Sequence, residues 1–297
     1  MLAQLLRRVI ATQILIGAGL GFLFFKLGNG PVWGVMAWAA AMPFVGMILI
    51  DIVTAVQSRG NEGIRVWWRS LFGEFKAGIQ VFLFRQPWAV APPTWQPATG
   101  GVPKVPVVLV HGFMCNHRIW NDMSNALRAN GHPVFAVDLE PLFASIDNYA
   151  PIVENAVEEL RRQTGASRVA LVGHSMGGLA IRAWMRRFGP DRVARVLTLG
   201  TPHAGTRVGP FFETANGTQM GWKSQWLTDL AASESDAVRA LKRIAITPQD
   251  NIVYPQRVQV LQGITPTVFD GIGHVQMCLN VPVIQWVVQQ LDDIPPG

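Results

Sequence analysis

The sequence predicts an α/β fold built on buried parallel strands, with two transmembrane helices ahead of it. Residues 105–110 and 169–172 are short, continuously apolar runs, the pattern of strands covered on both faces. The second run leads into Leu179, Ile181, Trp184 and Met185 at three- and four-residue spacing, with Arg182, Arg186 and Arg187 between them. That is an amphipathic helix. The first fifty residues are different in kind: residues 9–25 and 32–50 carry no charge at all.

Between the second strand and its helix lies "VGHSMGG", a G-x-S-x-G pattern. Gly173 and Gly177 flank Ser175 where a sharp turn leaves no room for side chains. Such a turn lifts a serine hydroxyl above the sheet and aims the N–H groups of a helix start at a developing anion. A serine needs a base, an orienting carboxylate and an oxyanion hole to act as a nucleophile. The loop after the first strand, "HGFMCN", supplies Phe113 as one oxyanion donor, paired with Met176. Downstream, "ITPQDNIVYPQ" ends a short apolar segment in Asp250, and "TVFDGIGHVQM" ends another in His274. The order Ser175, Asp250, His274 makes His274 the base and Asp250 the group that orients it.

Other residues compete for these roles. His111, His117, His132, His174 and His203 are the remaining histidines, each better explained as a loop, elbow or helix-end residue. Asp270 and Asp236 are the rival acids; Asp250 is preferred because it closes its own strand. Ser175 itself has the plainer alternative of a helix cap.

Together, "PVVLVHGF", "VALVGHSMGG", "LTLGTPHAGT", "DNIVYP" and "GIGH" resemble the α/β-hydrolase superfamily, and within it compact bacterial lipases and esterases. The resemblance spans residues 104–292. It implies a mostly parallel sheet with helices on both faces, ester-hydrolysing activity, the triad above and a structural role for His203. Many secreted lipases of this kind carry calcium, whose ligands do not map onto this chain, so no cofactor and no metal are expected. The same triad also serves thioesterases and acyltransferases, and a non-catalytic membrane scaffold is the alternative of a different class.

Composition points to a membrane. Hydrophobic residues make up 49% of the 297 and charged residues 15%, with a mean hydropathy of +0.25, unusual for a soluble enzyme. The two uncharged stretches, separated by "KLGNGP", suit a hairpin crossing a hydrocarbon core about 30 Å thick. A cleaved signal peptide is the rival for the first stretch, and the second argues against it. Arg7 and Arg8 precede the hairpin, and Arg59, Arg65, Arg69 and Lys76 follow it, against Lys26 in the turn. By the positive-inside rule the expectation is a multi-pass protein of a bacterial inner membrane with its catalytic part in the cytoplasm.

The expected organisation is a hairpin over 1–58, a juxtamembrane segment and linker over 59–103, and a catalytic domain over 104–297. In "IRVWWRSLFGEFKAGIQVFLFRQPW", aromatic and basic residues mix, which fits a helix in the headgroup region or one packed on the catalytic domain. The net charge of +6 comes without a nucleic-acid motif, so anionic lipid is the simpler partner. Cys115 and Cys278 follow the oxyanion loop and His274. They are expected as free thiols in a cytoplasmic domain and as a conceivable disulfide in an oxidising compartment.

Residues 205–235 form an apolar, lid-like insertion long for a connection. Within it Phe211, Phe212 and Trp222 are the candidate acyl-chain contacts, and "DAVRALKRI" reads as a helix closing the sheet. An apolar pocket beside an oxyanion hole, held at a membrane, suits an acyl ester or lipid substrate.

Overall fold

In the computed structural model, residues 1–28, 30–208 and 213–294 are described. Among the described residues six parallel strands form one sheet in the order β2-β1-β3-β4-β5-β6: β1 Val107–Val110, β2 Val134–Ala136, β3 Val169–His174, β4 Val193–Leu199, β5 Lys242–Ile246 and β6 Thr267–Val268. The strand order reverses between β1 and β3. In open α/β sheets the carboxyl ends at such a point are where ligands bind.

Alternation along the strands divides the interior in two. Val107 and Leu109 of β1, with Ala170 and Val172 of β3, face one core, which also contains residues of α4 (Asn121–Ala129) and α10 (Val281–Asp292). Val108, Val110, Leu171 and Val196 face the other, against α5 (Ala150–Thr164) and α6 (Met176–Phe188). All four residues of β1 are buried, as a sheet sandwiched between helices requires. The strand begins two residues later than its apolar run, after Pro106, which has no N–H to donate to a ladder.

Two expectations need correction. In α6 the arginines do not share one exposed face: every residue from Met176 to Met185 is buried, Arg182 included, whereas Arg186 and Arg187 are exposed. Arg182 is accommodated because Glu234 accepts from its Nε at 2.7 Å, and Lys242 Nζ lies 3.0 Å from the same carboxylate. The stretch "DAVRALKRI" is not one helix. It splits into the five-residue α9 (Asp236–Ala240), which buries nothing, and the strand β5, because Lys242, Ile244 and Ala245 continue the sheet beside β4.

At the N-terminus, α1 (Leu2–Lys26) and α2 (Gly34–Gln57) are long and apolar enough to cross a membrane, with mean hydropathies of 1.8 and 2.1. They pack through small residues: a Cβ on Gly21 would lie 2.7 Å from the Val35 Cα. The outer surface of the pair is apolar, exposing Leu15, Phe22, Leu23, Met36, Leu49 and Ile50.

Both ends of this hairpin touch the rest of the chain. Leu2 and Leu6 are buried with Leu142 and Met114, and Arg7 donates to the Pro87 carbonyl at 2.7 Å. At the other end, Ala55 packs with Trp67 and Leu71 of α3 (Ile64–Gly78). That amphipathic helix packs on the rest of the chain through one face and leaves the other exposed. Trp67, Leu71 and Glu74 are buried, whereas Trp68 and Phe72 stack 5.6 Å apart with both largely exposed.

Candidate active site

The β3–α6 junction is a strained turn. Ser175 has φ 55° and ψ −129°, a region that costs a side-chain-bearing residue about 1–3 kcal/mol. Its neighbours explain why the turn holds. Ser175 N donates to the Leu199 carbonyl at 2.9 Å, and Gly178 N donates to the Ser175 carbonyl at 3.1 Å. A Cβ on Gly173 would stand 2.6 Å from the Gly178 backbone, and one on Gly177 would collide with the Val110 carbonyl oxygen. Only glycine fits either position, as the motif requires.

The loop after β1 passes directly over this turn. A Cβ on Gly112 would lie 2.7 Å from that of Ser175 and 3.2 Å from its Oγ. Phe113, the next residue, sets its ring 5.8 Å from that of Phe143, and Met176 opens α6. His111 holds the loop from beneath: it donates Nδ1–H to the Gly112 carbonyl at 2.8 Å and accepts the Leu139 N–H on Nε2 at 3.0 Å. Burial lowers its pKa, with Asp138 opposing, which favours the neutral ring this pairing needs.

His274 and Asp250 meet beside the same turn. His274 Nδ1 donates to Asp250 Oδ2 at 2.8 Å, and both side chains are buried. The other oxygen, Asp250 Oδ1, accepts from Ile252 N at 2.9 Å and Val253 N at 2.7 Å, so the carboxylate cannot rotate away. The position of a Cβ on Gly200, one residue past the Leu199 carbonyl that holds Ser175, is 3.1 Å from Asp250 Oδ2 and 3.2 Å from His274 Nδ1. Burial pulls the His274 imidazole down in pKa, but the Asp250 charge and hydrogen bond, with Glu74 behind them, carry it above the usual 6.5.

The rival residues are elsewhere or otherwise engaged. Asp270 is exposed and its carbonyl accepts from Arg69, while Asp236 pairs with Arg239 at the surface. His117 pairs with Asp138 at 3.0 Å, His132 contacts the Val105 carbonyl, and His203 Nε2 lies 3.1 Å from Thr198 Oγ1. His174 is closest to the site: it donates Nε2–H to the His274 carbonyl at 3.0 Å, with the two ring centroids 4.6 Å apart.

Of the acyl-chain candidates, Phe211 and Phe212 lie outside the described residues. Trp222 is half-buried between Arg207 and Lys223, whose cationic groups lie 6.0 and 5.6 Å from its ring. Part of the lid-like insertion is tied down. Asn216 of α7 (Ala215–Gln219) donates to the Leu142 carbonyl at 2.8 Å, and Trp226 of α8 (Gln225–Ala232) to Asp147 at 2.9 Å. Among the described residues no group of three or more His, Cys, Asp or Glu side chains could hold a metal ion. Cys115 and Cys278 are buried free thiols.

Three contacts to the site were not anticipated from the sequence. Glu74 of α3 accepts from Val275 N and Gln276 N, Thr54 of α2 accepts from Asn251, and His174 braces the His274 carbonyl. A signal existed for Glu74 alone: it is a lone carboxylate on the apolar stripe of an amphipathic helix, at seven residues from Trp67 and three from Leu71.

Residues 105–243 match the family described as alpha/beta hydrolase fold. A triacylglycerol lipase of Burkholderia plantarii is 31% identical over 134 residues, covering 42% of this chain and 37% of that protein. A second, of Pseudarthrobacter phenanthrenivorans, is 33% identical over 119 residues, covering 37% of each. The chain thus spans little more than a third of the length of these relatives. Among solved structures, the mature Bacillus licheniformis lipase BlEst2 superposes with a TM-score of 0.54 at 19% identity, covering 67% of this chain and 99% of that one. With its sheet order, its strained strand–serine–helix turn and these matches, the chain has an α/β-hydrolase fold and is similar to bacterial lipases and esterases.

Proposed function

We propose that this chain is a membrane-anchored serine hydrolase that cleaves carboxylic esters, lipid acyl esters among them, through Ser175, His274 and Asp250. The observation that carries the reading is the 2.8 Å His274–Asp250 pair beside a serine held in a strained turn. The similarity to triacylglycerol lipases supports an acyl ester as the substrate class.

In this mechanism His274 Nε2 takes the Ser175 proton as Oγ attacks the acyl carbonyl, while Asp250 stabilises the imidazolium that forms. The N–H groups of Phe113 and Met176 receive the oxyanion. His274 then passes the proton to the leaving alkoxide, and the alcohol departs. Water, deprotonated by the same imidazole, attacks the acyl-enzyme; the acid is released and Ser175 regains its proton. Because His274 must start neutral and its pKa lies above 6.5, kcat/KM rises with pH through an apparent pKa above that value.

Residues 1–58 are the anchor, 59–103 join it to the catalytic region over 104–297, and the apolar hairpin supports a bilayer as the partner. Basic residues at both ends of the hairpin favour the cytoplasmic side. The test is hydrolysis of a chain-length series of p-nitrophenyl esters and a phospholipid by full-length protein in detergent. Cleavage lost in Ser175→Ala is expected. Cleavage retained in that variant, or no ester cleaved by folded wild type, overturns the reading.

A further inference from the structure

We propose that the juxtamembrane helix α3 is part of the catalytic apparatus, with Glu74 as the positioning residue of the His274 loop. The inference rests on the reading of His274 as the base, and it assigns to the N-terminal region a role beyond anchoring.

The Glu74 carboxylate reaches across to the residues immediately after His274. Its Oε1 accepts from Val275 N at 2.9 Å and its Oε2 from Gln276 N at 3.0 Å. On the other side of the histidine, a Cβ on Gly273 would lie within 2.5–2.8 Å of Glu74 atoms. Both flanks of His274 therefore rest on one side chain. Gln276 returns along the same path: its Oε1 accepts from Gly273 N at 3.1 Å and sits against Gly73 of α3.

A buried carboxylate is costly unless its oxygens are occupied by donors. Glu74 is 4% exposed; burial raises its pKa above the ordinary 4.5, and the Val275 and Gln276 N–H groups and His274 oppose this only in part. Two flanking anchors join α3 to the rest: Arg69 donates to the Asp270 carbonyl at 3.1 Å, and Trp67 Nε1 donates to the Ala55 carbonyl of α2 at 3.2 Å. From α2 itself, Thr54 Oγ1 accepts from Asn251 Nδ2 at 3.0 Å. Asn251 follows Asp250, and its Oδ1 accepts from His274 N at 3.4 Å. The loops that carry the acid and the base are thus both held by the helices that precede the sheet.

The charged and titratable groups around His274 are Asp250 and His174 at its ring and Glu74 beneath its loop, with Asp51 of α2 near enough to Glu74 to repel it. Above the Glu74 pKa its charge adds to that of Asp250 on the imidazole, and Glu74→Gln removes it. The histidine then titrates at lower pH.

The experiment compares wild type, Glu74→Gln and Glu74→Ala as full chains in detergent micelles. One readout is kcat and KM on a p-nitrophenyl ester; the other is the His274 titration followed by 15N-histidine NMR, which needs no turnover. Glu74→Ala is expected to lower kcat by about 10- to 100-fold, the cost of a base displaced by about 1 Å, with KM changed less than about twofold. Glu74→Gln, nearly isosteric and still an acceptor, is expected to fold, lose less activity and move the His274 titration to lower pH. Wild-type kcat in folded Glu74→Ala, or a His274 titration identical in all three proteins, overturns the proposal. Absence of Ser175-dependent cleavage in wild type instead overturns the hydrolase reading and leaves the titration to decide on Glu74.

Discussion

Ser175 and His274 stand at the same end of one sheet, yet they are held there in opposite ways. The serine takes its geometry from Gly173, Gly177 and Gly178, all within three residues of it, and from the neighbouring strand ends at Val110 and Leu199. The histidine follows a two-residue strand and owes its place to side chains far away in sequence: Asp250 24 residues before it, and Glu74 201 residues before its neighbour Val275. One side of the site is a local motif that carries its own scaffold. The other is an assembly of segments distant in sequence, with Glu74 of α3 among its contacts.

The contrast can be broken most severely at Asp250. Asp250→Asn removes the charge that holds the His274 tautomer, and kcat is expected to fall about 10⁴-fold, while Asp270→Asn changes it less than about threefold because that carboxylate lies at the surface. Steady-state kinetics on both variants checks this. An equal effect at the two positions would place the acid wrongly.

A smaller effect is expected beneath the serine helix. Arg182 and Lys242 are fully buried against Glu234, so Glu234→Gln leaves two cations poorly compensated, at a cost of about 3–5 kcal/mol. Burial raises the Glu234 pKa, but Arg182 and Lys242 outweigh it and hold the carboxyl below its ordinary 4.5. The stabilisation is therefore complete above the unfolded pKa and is lost as pH falls through the folded one. Denaturant unfolding from pH 7 downward should show wild type and Glu234→Gln converging in acid; a constant difference would rule out this linkage.

Much of the serine side was legible in the sequence because its signals are local. Apolar runs, a glycine on each side of Ser175 and a resumed helical period need no partner to be recognised, and the structure puts β3 and α6 where they point. The buried state of Arg182 was not legible, since its partners Glu234 and Lys242 lie more than fifty residues away. For the same reason "DAVRALKRI" was read as a helix: its helical period is real, but pairing with β4 overrides it. The Asp250–His274 pairing was readable as an order of residues, whereas the bracing by Glu74 and Thr54 was not, because nothing in a sequence states which helix docks against which loop.

The smallest effect sharpens the local side of the comparison. If the elbow stores strain at Ser175, Ser175→Gly should gain about 1 kcal/mol in stability over Ser175→Ala, since glycine reaches φ 55° without a Cβ penalty. Equal midpoints in denaturant would mean that the turn holds no such strain.

Ser175 as a nucleophile activated by His274 is open to chemical test. Its most direct test is covalent labelling of the full-length protein by a fluorophosphonate, with the adduct mapped by mass spectrometry in wild type, His274→Ala and heat-denatured samples. One adduct is expected, on Ser175, formed rapidly only by folded wild type and at least about 10³-fold more slowly without His274. An unlabelled Ser175 in folded protein, or labelling indifferent to His274, would contradict it.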